Sequence, residues 1–493
     1  MRVWLKRLLW LSAIFLVVWL AVIVYWQSTS RLPSESDLLI YLGLLPLLLA
    51  GIGWGVYKAA THQPAAPSVS AGAPKDKADK LAAEAAQRNA EQERNWTLNI
   101  VATSLQTSAG NTAADVLGKL KDASLESELD PELKNAEGFA IFSARIVDLD
   151  VSDTQEAMAE WVKTSSNPDL QWSDIQMRSL HLAGLSIQEL APIASQHPDV
   201  LRHAQLKDEG RGYKDDAVLP LRLVLVWPKH WDAAHQSAAS SWVKSLVLQH
   251  GWPEQRILLQ ETRSEHANPV ALLDHITLTS GRAQLPTVGI LLACESGIGQ
   301  DYVDALASQG NLFGGKNTAG AKPGELAAGL LFADAKQSQL LGEGPFSSMH
   351  RASWAARDKS ADERGKVTAD LLSSLVVLAL ETSKVTLDKI KFVSSDNDHK
   401  PGREAELAEM LTAKLPDLDC AKDAVKIAQA CGSTHYAATA AALCIAHQYV
   451  IDEQAPALCT SLQDPFLRAA VVLTVAGVKD DINLPVNASP KAA

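Results

Sequence analysis

The stretch Lys322-Pro-Gly-Glu-Leu-Ala-Ala-Gly-Leu-Leu-Phe332 decides the architecture of this chain, together with Cys431-Gly-Ser-Thr-His-Tyr-Ala-Ala-Thr-Ala-Ala-Ala-Leu443. In the first, small residues let a loop pack tightly ahead of an apolar run that reads as a buried strand, with Glu325 placed to anchor the turn. In the second, Gly432 and Ser433 precede an alanine-rich helical run, and Ser433 is a natural N-cap. Working outward, β-rich runs at 98–105, 221–227, 287–293, 326–332, 390–394 and 469–475 alternate with helical stretches at 237–250, 300–308, 361–382 and 438–449. Several of these strands are apolar on both faces, the pattern of a sheet covered by helices on each side. The expectation is an α/β layered architecture.

Composition narrows the function. With 57 acidic against 45 basic residues in a chain of 493, the formal net charge is −12. That argues against a nucleic-acid partner, because phosphate binding needs a concentrated basic surface. The five cysteines, at 294, 420, 431, 444 and 459, sit in or beside apolar runs without extracellular disulfide spacing, which favours a reducing compartment.

The segments 8–26 and 38–57 are almost purely apolar, and each reaches the roughly 20 residues needed to cross a bilayer as a helix. Residues 1–58 therefore read as a transmembrane hairpin in a lipid bilayer. Arg2, Lys6 and Arg7 precede the first span and Lys58, Lys75, Lys77 and Lys80 follow the second. The positive-inside rule places both termini in the cytoplasm of a bacterial inner membrane. Residues 59–95 read as an Ala/Pro/Ser/Gly linker followed by a stalk helix at 77–94, and residues 479–493 as a loose tail. A transporter or sensor built on the hairpin is disfavoured, since neither span carries a charged residue of the kind that marks a pathway.

Between these ends, the quoted motifs resemble those of the thiolase/β-ketoacyl synthase superfamily. Asn317 to Leu331 is similar to the family's loop-then-strand bearing a Pro-Gly-Glu-Ala-Ala motif. Val288-Gly-Ile-Leu-Leu-Ala-Cys-Glu-Ser296 resembles the core strand after the nucleophile helix, and Gly432-Ser-Thr-His-Tyr-Ala-Ala-Thr-Ala440 the Gly-His-Thr segment. The resemblance implies a five-layered, duplicated thiolase-like fold with halves at 96–345 and 346–478. It also implies a homodimer.

The same resemblance exposes departures. A condensing enzyme needs a thiolate to accept the acyl chain and two groups that polarise a carbonyl. The nucleophile position falls near Ser264, and no cysteine precedes Cys294. The first histidine position holds Ser395 and the second Ser433, while Asp464-Pro-Phe-Leu-Arg468 stands where the family has a Gly-rich loop. Substitutes lie close by: His266 beside Ser264, His399 four residues beyond Ser395, and His435 two beyond Ser433. A set of Ser264, His399 and His435 is a conceivable acyl-transfer arrangement, because a hydroxyl nucleophile needs a base within reach. The competing reading makes them loop polar residues and caps.

Other chemistry is weakly signalled. Cys431, His435, Cys444 and His447 do not meet a closed four-ligand zinc spacing, so no metal is expected. Gly314, Gly315 and Gly324 are too scattered for a phosphate loop, so no nucleotide cofactor is expected. Asp301, Asp304 and Glu295 read as helix-dipole partners rather than an acid/base pair. Trp227, Trp231, Trp242 and Trp252 read as core. The leading expectation is a membrane-anchored protein that has lost condensing chemistry and binds membrane or cytoplasmic protein partners, an accessory of a bacterial envelope or secretion machine. The alternative is an acyltransferase or acyl-binding enzyme that works with acyl carrier protein or acyl-CoA.

Overall fold

The computed structural model describes residue 19 and residues 88–121, 128–164, 169–210, 217–262, 268–363, 365 and 367–477. Ala85–Ala493 forms one compact unit, and the sheet belongs to it. The spans expected at 8–26 and 38–57, the linker at 59–75 and the tail after 478 lie outside the described residues, Trp19 apart. Among the described residues no helix is long and apolar enough to cross a membrane.

Strands β1 (Leu98–Thr107), β4 (Leu221–Val226), β5 (Ile257–Thr262), β6 (Val288–Ser296) and β7 (Glu325–Ala333) make one half of a mixed sheet, with a separate hairpin of β2 (Glu128–Lys134) and β3 (Ala140–Ser143). The other half contains β8 (Ser347–Met349), β9 (Ser353–Ala356), β10 (Val393–Ser395), β11 (Ala424–Lys426), β12 (Ala457–Ser461) and β13 (Leu467–Val475). Across the sheet the order is β11-β10-β12-β13-β8-β1-β7-β6-β4-β5. Read outward from the centre, each half runs first strand, last, fourth, second, third. In each half the last strand is antiparallel to its neighbours: β7 to β1 and β6, and β13 to β8 and β12. The two halves therefore repeat one topology, a duplication that the sequence does not display as a repeat.

The first strand of the second half is broken. Both β8 and β9 pair with β13, and the chain leaves the ladder between them where Arg351 reaches Asp274 at 2.6 and 3.1 Å. The Asp274 carboxylate also accepts from the Ala352 N–H. A bidentate, charge-assisted pair here replaces the ladder bonds lost at the break.

Seven helices carry the layers: α1 (Asp174–Ala194), α2 (Ala233–Leu248), α3 (Pro269–Ala283), α4 (Gln300–Ser308), α5 (Asp370–Ser383), α6 (Pro401–Lys414) and α7 (His435–Glu453). α1 packs on β1, β6 and β7 and meets α2, forming the outer layer of the first half around Leu180, Ile187 and Trp242. α5 packs on β13 and against α6, forming the outer layer of the second. Between the halves lie α3 and α7; α7 touches strands of both halves and buries residues on every side, from Tyr436 to Val450. Its alanines explain this position, because a helix covered by strands of both halves must be thin on all faces.

Most expected strands are present within a residue or two. The helix expected over 361–382 begins only at Asp370, and the described residues before it, from 361 on, are not helical. α1 was absent from the sequence expectation although it is 21 residues long; its polar Ser, Gln and Glu residues and internal Pro192 interrupt the apolar stripe. Residues 88–94, the end of the expected stalk, are helical. They are tied down rather than free: Glu93 pairs with Arg282 at 2.6 Å, and Arg351 donates to the Glu93 carbonyl.

Candidate functional site

The two quoted stretches meet. Gly324 lies against the Cys431 carbonyl and the Gly432 Cα, so closely that a Cβ at Gly324 would overlap that carbonyl oxygen. Ser433 N–H donates to the Lys322 carbonyl at 2.9 Å, and Gly432 takes φ +77°, which favours glycine. Glu325 is fully buried at the start of β7 and accepts from Arg178 of α1 at 2.7 and 2.5 Å, from Ser296 at 2.9 Å and from the Ile146 N–H at 2.9 Å. It anchors the turn as the sequence suggested, and a buried carboxylate needs that many partners. This frame fixes the ends of β6, β7 and the start of α7 relative to one another.

At that junction the parallel strands β4 and β6, and also β10 and β12, reach their carboxyl ends, and both central helices begin. Such crevices are where open α/β sheets place ligands. The N-cap of α3 is Asn268, 1% exposed, whose side-chain oxygen accepts from the Val270 and Ala271 N–H groups and whose amide donates to Ser461 Oγ at 2.9 Å. Ser264 and His266, just upstream, lie outside the described residues.

Ser395 ends β10, fully buried, with its hydroxyl accepting from the Asn397 N–H at 3.3 Å. The next residue, Asp396, ties α7 to the end of β12. It is completely buried and accepts from Ser461 Oγ (2.5 Å), Thr439 Oγ1 (2.7 Å), Leu462 N–H (2.6 Å) and Gln463 N–H (3.1 Å). Burial raises its pKa, and these four donors work against the rise. A carboxylate so enclosed is a structural plug: its acceptor positions are used by the chain itself.

The histidines separate. His399 gives Nε2 to the Gly320 carbonyl at 2.8 Å and stands edge-on to Phe313 at 4.8 Å. Burial, and then the Lys322 ammonium, hold its pKa below the usual histidine value. His435 places Nδ1 2.8 Å from Glu295 Oε1, with its own side chain half-exposed and Glu295 buried. The Glu295 carboxylate lifts the His435 pKa above the ordinary value. Each ring is committed to a different partner, so the set of Ser264, His399 and His435 is not assembled among the described residues. The N-cap of α7 is Thr434, not Ser433, and its hydroxyl makes no capping bond.

Around the His435–Glu295 pair stand Lys229 and His230 in the loop after β4, Tyr302 on α4, and Tyr436. The His230 and Tyr302 rings lie 5.8 Å apart, and burial lowers the His230 pKa. Lys229 Nζ is 5.0 Å from the Tyr436 ring centre and 4.0 Å from Asp464, which accepts from the Tyr436 hydroxyl at 2.9 Å. Asp464 thereby ties the loop after β12 to the start of α7.

Four of the five thiols are shut away from solvent. Cys294, Cys431, Cys444 and Cys459 are buried and unpaired, and burial raises every one of their pKa values, that of Cys431 to about 12. A nucleophilic cysteine needs the opposite shift. Three of the four residues considered for zinc point to separate partners: Cys444 to the Ser104 and Gly329 carbonyls, His447 to Ser347 Oγ, and His435 to Glu295. Among the described residues no three His, Cys, Asp or Glu side chains are grouped to hold a metal. Trp227, Trp231, Trp242 and Trp252 are core residues, Trp227 stacking on Trp231 at 5.4 Å.

With the sheet order and the central helices in hand, comparison with solved structures is decisive for the fold. The ishigamide ketosynthase/chain length factor superposes with a TM-score of 0.52 over 78% of this chain and 100% of its own, at 11% identity. The fold is that of a ketosynthase. Weaker likenesses join it: a type II polyketide ketosynthase solved with its acyl-carrier protein (TM-score 0.48, 11% identity, 77% of this chain and 99% of the other) and an oxazolomycin ketosynthase domain from Streptomyces albus (0.49, 13%, 80% and 76%). No family model matches this sequence and no curated protein is similar to it. On the ketosynthase fold, Glu295, Asp396, Asn268 and His230 are the crevice residues that the sequence reading passed over or took as structural. For Glu295 the available signal was a charged residue inside an otherwise apolar strand.

Proposed function

We propose that this is a membrane-tethered protein with a ketosynthase fold that does not condense acyl chains, and whose soluble part serves as a binding or assembly module on the cytoplasmic face of a bacterial inner membrane. The observation that carries the reading is the closed junction at Asp396, which is fully buried, ties Thr439 of α7 to the end of β12 and accepts four hydrogen bonds from its own chain. Asn268 caps α3, and burial raises the pKa of each of the four buried thiols. The apolar segments at 8–26 and 38–57 support the tether. Its partners are a second copy of the chain and subunits of an envelope or secretion machine.

The test is affinity purification of the tagged full-length protein from gently solubilised host membranes, with mass spectrometry of what accompanies it. Recovery of envelope or secretion subunits supports the assembly reading. Recovery of acyl carrier protein, or of a covalently acylated form of the chain, overturns it in favour of acyl transfer.

A further inference from the structure

The crevice beside the closed junction at Asp396 holds a set of groups that the loss of condensation leaves unexplained. Glu295 is a buried carboxylate on a strand whose other eight residues are also buried, facing a half-exposed imidazole. A charge is costly in such a place unless it is used to hold a partner. The partner is held at a cost of its own, because His435 takes φ +43°, in the left-handed region that a non-glycine residue rarely occupies. Strain of this kind persists where the surroundings dictate a side chain's aim. One residue earlier, the Thr434 hydroxyl is fully buried and has no hydrogen-bond partner.

We propose that His435, positioned by Glu295, is a general base that hydrolyses small carboxylic esters and thioesters in this crevice. With Nδ1 bound to Glu295, Nε2 is the nitrogen left to take a proton, on a ring that is half-exposed. The reaction is balanced without any co-reactant. A water oxygen forms a bond to the acyl carbon while its proton passes to Nε2, and the carbonyl π pair moves onto oxygen. The oxyanion lies at the start of α7, where the first N–H groups of a helix have no intrahelical acceptor and the dipole favours negative charge. Collapse breaks the bond to the leaving oxygen or sulfur, which takes the proton back from Nε2, giving a carboxylic acid and an alcohol or thiol.

The groups facing His435 set its titration. Glu295 on β6 raises its pKa, while Lys229 after β4 and Lys400 at the start of α6 lower it. His230 and Tyr302 share the field of Glu295, and Asp464 is held by Lys229 and Tyr436. This inference goes beyond the assembly reading and does not depend on it.

The test uses the purified full chain in mild detergent, with p-nitrophenyl acetate and phenyl thioacetate as probes. Both are expected to be hydrolysed at a rate that rises with pH and levels off as His435 loses its proton. His435→Asn keeps a residue that tolerates left-handed backbone; it is expected to lower kcat/KM at least about tenfold, the modest end of general-base contributions. Glu295→Gln removes the charge that raises the His435 pKa, so part of the rate survives and the inflection moves to lower pH. His275→Gln, on the exposed side of α3, leaves the rate unchanged. The proposal is overturned if His435→Asn, with its circular dichroism unaltered, hydrolyses the probes as fast as the parent, or if the Glu295→Gln inflection stays where it was.

Discussion

Replacing Asp396 by alanine tests whether this buried carboxylate is what holds α7 and the end of β12 together. The carboxylate accepts from two backbone N–H groups, Leu462 and Gln463, and from the hydroxyls of Ser461 and Thr439. The hydroxyls can turn to other acceptors, but the two N–H groups are fixed at the end of a strand and have no water to meet. A buried donor left unmatched costs about 1–3 kcal/mol, so the two together cost about 2–6 kcal/mol before any cavity is counted. That is a large share of a domain stability of about 5–15 kcal/mol. Asp396→Asn keeps an acceptor for both N–H groups and offers its amide to the two hydroxyls, and its expected cost is about 1 kcal/mol. Chemical denaturation of the full chain, followed through the fluorescence of buried Trp227, Trp231, Trp242 and Trp252, measures both. A loss below about 1 kcal/mol for Asp396→Ala would refute the plug, since such a value leaves no room for even one orphaned N–H. Equal losses for the two variants would mean that the charge, not the hydrogen-bond count, matters.

Three further outcomes follow from the same packing. Gly324→Ala forces a Cβ onto the Cys431 carbonyl, where backbone rather than a flexible side chain must yield, so it destabilises by about 1–3 kcal/mol, whereas Gly344→Ala enters open space and is neutral in a thermal melt. Glu406 is fully buried between Arg468 (2.9 and 2.8 Å) and Arg357 (3.0 Å), and Glu406→Ala strands those charges at about 3–5 kcal/mol; Glu406→Leu combined with Arg468→Met recovers part of the loss in denaturant titrations. Burial lowers the His447 pKa to about 4, so between pH about 6.5 and about 4 the unfolded chain binds a proton that the folded chain refuses. Stability therefore falls as pH drops through that window, by about 3 kcal/mol in all, and levels below it; His447→Gln should flatten the dependence, and a slope that persists in that variant would place its origin elsewhere.

Several elements were legible in the residues alone. Strands such as 288–296 and 325–333, buried along their whole length, are announced by unbroken apolar runs. Gly324 and Gly432 mark a backbone-to-backbone approach that only glycine permits. The buried cysteines are foreshadowed by their apolar neighbours. Other features were hidden for definite reasons. α1 carries too many polar residues for a clean stripe, because its outer layer faces solvent along part of its length. Ser433 has the composition of a cap, yet the turn at Gly432 shifts the helix start by one residue to leave Thr434 in that place.

What the sequence determined by itself is the set of local and compositional facts: an α/β alternation, an acidic net charge of −12, two apolar N-terminal segments, and no cysteine before Cys294. What only the tertiary structure decided is which side chains share the crevice. Glu295 and His435 are 140 positions apart, and the donors to Asp396 come from 43 to 67 positions away. Propensity, capping and periodicity act over a few residues, whereas these pairs form because the strand order brings the ends of β6, β10 and β12 to the start of α7. The charges were visible in the chain, but their partners exist only once the sheet has been assembled.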